Sequence, residues 1–161
     1  MNTRHIFALL SLSFIGCNTS LDPADLQTMG EAHVEVHFNY PGDDRAAGVD
    51  TEADDVVVQL IDRANATIDF AVMGFSKRTI IKALERAYHR GISLRFVGNS
   101  RHAFGSVYGY SVMDRLNVPT QVGNQNHIMH DKFFIVDDRF IVTGTGNITS
   151  TGFNHNDNNW V

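Results

Sequence analysis

The chain has 161 residues, of which 43% are hydrophobic and 19% charged, with a formal net charge of −5. That length and balance describe one globular domain with a real core and exclude a disordered chain. Beyond the first twenty residues no apolar run is long enough to span a bilayer. The acidic balance works against a surface that gathers nucleic acid, although a local basic patch can still hold a phosphodiester.

The N-terminus reads as a targeting segment rather than as part of the fold. Arg4 supplies an early positive charge, Ile6 to Ile15 form a short apolar stretch, and Phe14-Ile15-Gly16-Cys17 closes it. A small residue before the only cysteine, at the end of an apolar segment, resembles a bacterial lipoprotein signal, in which the cysteine is acylated and becomes the first mature residue. The expected organisation is a signal over residues 1–17, a polar tether over 18–31 that lacks periodicity, and a folded domain over 32–161 on the exported side of a membrane. With a single cysteine no intrachain disulfide forms, so the core alone holds the domain.

His33 to Phe38 alternate, with Val34, Val36 and Phe38 on one face, which predicts a strand with His33 and His37 exposed. Tyr40-Pro41-Gly42-Asp43-Asp44 breaks it. From Ala53 the period becomes helical, with Val56, Val57, Leu60, Ile61 and Ala64 on one face and Asp54 and Asp55 in the first turn, where negative charge suits the dipole. Ile68, Phe70 and Val72 alternate as a strand. Ser76 is placed to cap a second helix, with the face Ile80, Ile81, Leu84, Ala87 and Tyr88 and a stop at Gly91. A strand over Ile92 to Val97 completes a βαβ unit, which calls for parallel pairing.

Val107 to Leu116 predicts a helix weakened by Gly109, and Thr120 to Val122 a short strand. Phe133 to Val136 is a continuous apolar run, as in a strand buried on both faces, with Phe140 to Thr143 its neighbour across Asp137-Asp138. The expected fold is α/β, a mixed and mostly parallel sheet flanked by helices. Asn159-Trp160-Val161 reads as the beginning of a strand, which predicts a chain that continues beyond Val161.

Residues with chemistry concentrate between Met129 and Asn159. His130-Asp131-Lys132 and Asp137 form His-x-Lys-x-x-x-x-Asp, and Gly144-Thr145-Gly146-Asn147 follows. On a strand, His130 and Lys132 point to one face. The imidazole suits nucleophilic attack on phosphorus, and the ammonium with the Asn147 amide suits the non-bridging oxygens. The glycine-containing loop could bring backbone N–H groups to the same phosphate. An ammonium beside the histidine argues against zinc, and no cofactor or metal is called for.

These residues resemble the phospholipase D and related nuclease superfamily, named for its His-Lys-Asp signature. The likeness extends from Val34 to the end, with Val57 to Val97 resembling the family's first βαβ unit. It implies that His130 is nucleophile or general acid, that Lys132 and Asn147 bind phosphate, and that Asp137 supports the motif. Thr145 stands where the family has serine, and Asn158 where many members carry a glutamate that steadies the histidine. Gly98-Asn99 stands where an acidic residue is frequent.

The family's site uses two such motifs, and one is present here. The partner motif would come from a further C-terminal half or from a homodimer. The implied function is metal-independent phosphodiester hydrolysis or transphosphatidylation through a phosphohistidine, with phospholipid the favoured substrate beside a lipid anchor. Alternatives are an endonuclease of the same chemistry acting on nucleic acid as a dimer, and a non-catalytic phosphate-binding lipoprotein. His102, His127 and His155 read as loop residues, His89 as a helix-end residue, Tyr108, Tyr110 and Phe104 as packing residues, and Lys77, Arg78, Lys82, Arg86 and Arg90 as a solvated helix face.

Overall fold

The helical spacing that begins at Ala53 does form a helix, α1 (Ala53–Arg63), and buries Val57 and Ile61 completely. In the computed structural model the described residues are 33–39, 53–103 and 107–161, all within the compact unit Glu31–Val161. The signal segment, Cys17, the tether and Phe104 lie outside the described residues. Before α1 stands β1 (His37–Phe38), and after it come β2 (Thr67–Val72), α2 (Arg78–His89), β3 (Ser93–Gly98) and α3 (Ser100–Ala103). Next are α4 (Tyr108–Arg115), β4 (Thr120–Val122), β5 (Lys132–Val136), β6 (Phe140–Thr143), α5 (Ser150–Asn154) and β7 (Asn159–Trp160).

Five strands form one sheet in the order β4-β3-β2-β5-β6. The β2–β3 and β3–β4 pairs are parallel, as the βαβ spacing requires, and β5 joins antiparallel with Val72 opposite Lys132. β6 is antiparallel to β5, so the sheet has two parallel and two antiparallel pairings. A separate two-stranded ribbon pairs β1 with β7, His37 opposite Trp160.

Period two selects the face that meets the helices. Ile68, Phe70, Val72, Leu94, Phe96, Phe134 and Val136 share a core with Val57, Ile61, Ile80, Ile81 and Leu84. Phe70 sits at its centre, stacked on Phe96 at 4.7 Å and on Phe134 at 5.5 Å between ring centroids.

Three expectations are corrected. The run Phe133 to Val136 is covered on one face alone: Phe134 and Val136 are buried, whereas Phe133 and Ile135 are half-buried. Continuous hydrophobicity reports composition, and the helices pack on one side of this strand. In the first strand Val34, Val36 and Phe38 are all exposed, while His33 and His37 lie 2.9 and 3.4 Å from the Glu35 carboxylate. The pairing of β1 with β7 fixes which face turns inward, and hydrophobicity alone does not. Ser76 is not the cap of α2. That position is Lys77, which makes no side-chain cap, and the N–H groups of Ser76 and Lys77 both donate to Ile148 O at 2.7 and 2.9 Å. Gly109, expected to weaken its helix, sits where a Cβ would overlap the Phe75 ring and carbonyl, so the packing against Phe75 requires glycine there.

Candidate active site

β2 and β5 run antiparallel, so the C-terminal end of β2 and the start of β5 meet at one edge of the sheet. Lys132 is the first residue of β5 and is 5% exposed, while His130 just before it is exposed. The Lys132 ammonium donates to the backbone oxygen of His130 at 2.6 Å. Burial pushes the Lys132 pKa below the ordinary lysine value, with the nearby Asp131 carboxylate opposing that shift. This lysine is held in a partly desolvated place where its charge acts strongly on an anion.

Asn147 joins them through β2. Gly74, two residues past the end of that strand, donates its N–H to Asn147 Oδ1 at 3.2 Å. A Cβ on Gly74 would meet the Asn147 side chain at 3.1 Å, so the glycine permits the approach. With its oxygen committed to Gly74, the Asn147 carboxamide has its NH2 left to donate. One edge of the sheet thus collects an exposed imidazole, a buried ammonium and an oriented amide.

Asp137 is elsewhere. It lies at the opposite end of β5, and the four steps from Lys132 to Val136 alone span roughly 13 Å at about 3.3 Å per residue. Its carboxylate accepts the N–H groups of Asn65 at 2.9 Å, Ala66 at 2.8 Å and Thr67 at 3.0 Å. Asp137 thus ties β5 to the start of β2 rather than sitting beside His130 and Lys132.

Thr145 and Asn158 hold each other. The Thr145 hydroxyl donates to Asn158 Oδ1 at 2.9 Å and accepts from Asn159 N at 3.2 Å, while Asn158 Nδ2 donates to Gly152 O at 2.8 Å. Asn158 therefore bonds to Thr145 of the loop and to Gly152 of α5, and neither bond is with His130. Two N–H groups of the glycine-containing loop are spent within the protein: Gly144 donates to Lys132 O and Thr145 to Asn159 O. Those two N–H groups are therefore not directed at a ligand. A Cβ on Gly144 would overlap the Trp160 ring and Asn159 O, so the glycine is needed for the β6–β7 approach.

Several participants are invisible to local pattern. Asn99 is fully buried, with its N–H donating to the Tyr110 hydroxyl at 2.8 Å and its Nδ2 to Met129 O at 3.3 Å. Lys77 is not on a solvated face: it is 7% exposed and pairs with the buried Asp54 at 3.2 Å while donating to Asn154 at 2.9 Å. His102 is not a loop residue but lies on α3, its Nδ1 2.7 Å from Met73 O. A hydrophilic residue in a polar stretch carries no local sign of such partners.

Residues 57–161 match the protein family described as "Cardiolipin synthase, PLD-like domain". A mitochondrial cardiolipin hydrolase of Drosophila melanogaster is 31% identical over 81 residues, which is 50% of this chain and 32% of that protein. The match therefore spans about a third of the relative's length. Among solved structures, Nuc, a phospholipase D family member from Salmonella typhimurium, superposes with a TM-score of 0.64 at 27% identity, covering 78% of this chain and 80% of that one. NucT from Helicobacter pylori has the same fold at a TM-score of 0.59 and 19% identity, covering 78% of this chain and 84% of its own.

Proposed function

Because the chain belongs to the phospholipase D-like phosphodiesterase family, we propose that it hydrolyses a phospholipid head-group ester through a covalent phosphohistidine on His130. The observation that carries this reading is the meeting of His130, Lys132 and Asn147 at one sheet edge, with Gly74 orienting the amide. His130 nitrogen attacks phosphorus, a P–N bond forms, and the P–O bond to the leaving alcohol breaks as that oxygen takes a proton. Water then attacks, gives up its proton, and the P–N bond breaks to restore the imidazole. Lys132 and Asn147 donate to the non-bridging oxygens, whose charge grows in each transition state.

Phospholipid is favoured over nucleic acid by the net charge of −5, which repels a polyanion. The proposed acyl anchor at Cys17 would also keep the domain beside a membrane. The test is to incubate the protein with phospholipid vesicles and, separately, with plasmid DNA, in the presence of a chelator. Release of head-group alcohol and phosphatidate, unaffected by the chelator, is expected. DNA cleavage without lipid turnover would move the substrate to nucleic acid. Loss of activity on chelation would contradict the histidine mechanism, and phosphate binding with no turnover at all would leave a binding protein.

A further inference from the structure

His130 precedes β5, and the direction of its side chain depends on the peptide planes on either side of its Cα. The only soft rotations between those planes are φ and ψ of His130, so fixing both planes fixes where its Cα–Cβ bond points. Lys132 holds the later plane, its ammonium donating to His130 O at 2.6 Å. The earlier plane carries Met129 O and the His130 N–H. Asn99 holds that one, its Nδ2 donating to Met129 O at 3.3 Å. The second grip reaches across the sheet, since Asn99 follows β3, the strand on the other side of β2 from β5.

Asn99 is itself fixed on every side. It is fully buried, its N–H donates to the Tyr110 hydroxyl at 2.8 Å, and its Oδ1 accepts Arg101 N at 3.0 Å. With that oxygen occupied, the NH2 is the part of the carboxamide left to donate. Tyr110 is tied to β2 in turn, its hydroxyl bonding Met73 O at 2.9 Å. The neighbours of Asn99 hold the start of the segment that leads to His130. Gly98 O accepts Gly123 N at 3.0 Å, and the Ser100 hydroxyl donates to Asn124 O at 3.2 Å. A Cβ on Gly123 would press on the Met129 side chain at 3.2 Å, so the two ends of that segment lie against each other. The end of β3 thus holds the segment at both ends, and the grip beside His130 is the Asn99 amide.

We infer that Asn99 is a positioning residue, whose amide sets the peptide plane that aims the His130 imidazole. The inference rests on the reading of His130 as the nucleophile. Asn99 touches no substrate and passes no proton. The Lys132 ammonium has three N–H bonds, so it can keep His130 O and still donate to a phosphoryl oxygen. A displacement of about 1 Å at an attacking atom costs on the order of 10²-fold in rate, which is the effect that loss of one fixed plane would have.

The experiment compares the wild type with Asn99→Asp and Asn99→Leu, both close to asparagine in volume, on a nitrophenyl phosphodiester. Expected at neutral pH is a fall in kcat of about 10²-fold in each variant, with KM within about threefold. The two should then part as pH falls. A buried aspartate takes up a proton readily and as a neutral acid can donate to Met129 O again, whereas leucine never can. The ratio of variant to wild-type rate should therefore rise toward acid pH for Asn99→Asp and stay flat for Asn99→Leu. A flat ratio for both would make the loss structural and overturn the inference, as would unchanged kcat in either.

NMR relaxation reads the plane without any turnover. The His130 backbone N–H should have an order parameter near 0.85 in the wild type and below about 0.6 in both variants at neutral pH, with the Val72 N–H unchanged. A mobile His130 N–H in the wild type, or a rigid one in a folded variant, overturns the inference. The wild-type value decides even where neither variant folds. Turnover retained by His130→Ala would instead sink the phosphohistidine reading, which the order parameters do not address.

Discussion

The carboxylate of Asp137 accepts the backbone N–H of Thr67 at 3.0 Å, fastening the end of β5 to the beginning of β2. Asp137 and Asp138 both have positive φ, 55° and 52°, and Arg139 N closes back on Val136 O at 3.1 Å, which makes a type I′ turn suited to the twist of the β5–β6 hairpin. The signature aspartate therefore shapes the frame that holds His130 at the other end.

Asp137→Ala should lower stability by about 1–2 kcal/mol while leaving turnover per folded molecule near wild type, read by urea denaturation alongside an active-site titration. Burial alone would push the Asp137 carboxyl up, but the N–H groups of Thr67, Asn65 and Ala66 outweigh it and hold the value below the usual 3.8. A carboxyl depressed in the fold adds stability that is present above its unfolded value and lost as pH falls through the folded one. The wild type should thus lose stability below about pH 3.8 more steeply than Asp137→Ala. Parallel acid curves for the two proteins would contradict this.

Lys132 should set an alkaline limit on activity. Burial keeps its pKa below the ordinary 10.5, so its charge is lost at lower pH than for an exposed lysine. Lys132→Met should reduce kcat by about 10²- to 10³-fold, as loss of one donor to a developing oxyanion does elsewhere. Lys132→Arg, which stays charged, should retain a fraction of the activity with that alkaline limit removed. A pH–rate series on the three proteins reads this directly.

The buried pair of Lys77 and Asp54 predicts an asymmetric response. Lys77→Met leaves the Asp54 carboxylate, 2% exposed, without its compensating charge and should cost about 3–5 kcal/mol. The double variant Asp54→Leu/Lys77→Met should be more stable than the single one, since no unmatched charge remains. Equal stabilities in denaturant melts would mean that the pair is not desolvated.

Asn158→Glu is the change that would restore the family's frequent glutamate, yet the expected result is a loss. A carboxylate in place of Nδ2 would set a second acceptor against Gly152 O, which now accepts from Asn158 Nδ2 at 2.8 Å and would keep Asn39 Nδ2 alone, and the lost bond should cost about 1–3 kcal/mol. A thermal melt of the variant checks this, and a raised melting temperature would contradict it.

Much of the fold is legible in the sequence where period alone decides. The spacing through Val57, Ile61, Ile68, Phe70 and Ile80 places α1, β2 and α2, and Gly91, at φ +90°, ends α2 where its residue type says it should. What stays hidden depends on partners far along the chain. Ile148 O, 71 residues beyond Lys77, accepts the N–H groups of Ser76 and Lys77 that lead into α2. The exposed face of β1 is set by β7 at the other end of the domain. In the site, the motif spacing places His130, Lys132 and Asn147, but not that Thr145 and Asn158 bond to each other. His102 looked like loop polarity because its partner, Met73 O, is a backbone atom with no sequence signature.

The central claim is the covalent phosphohistidine on His130. The most direct measurement is to acid-denature the protein during turnover of a phosphodiester labelled on its phosphoryl group, avoiding acid exposure long enough to cleave a P–N bond, and to map the label by mass spectrometry. Label on His130, absent from His130→Ala together with all turnover, is the predicted result. Full turnover by His130→Ala, or label confined to another residue, would contradict the account.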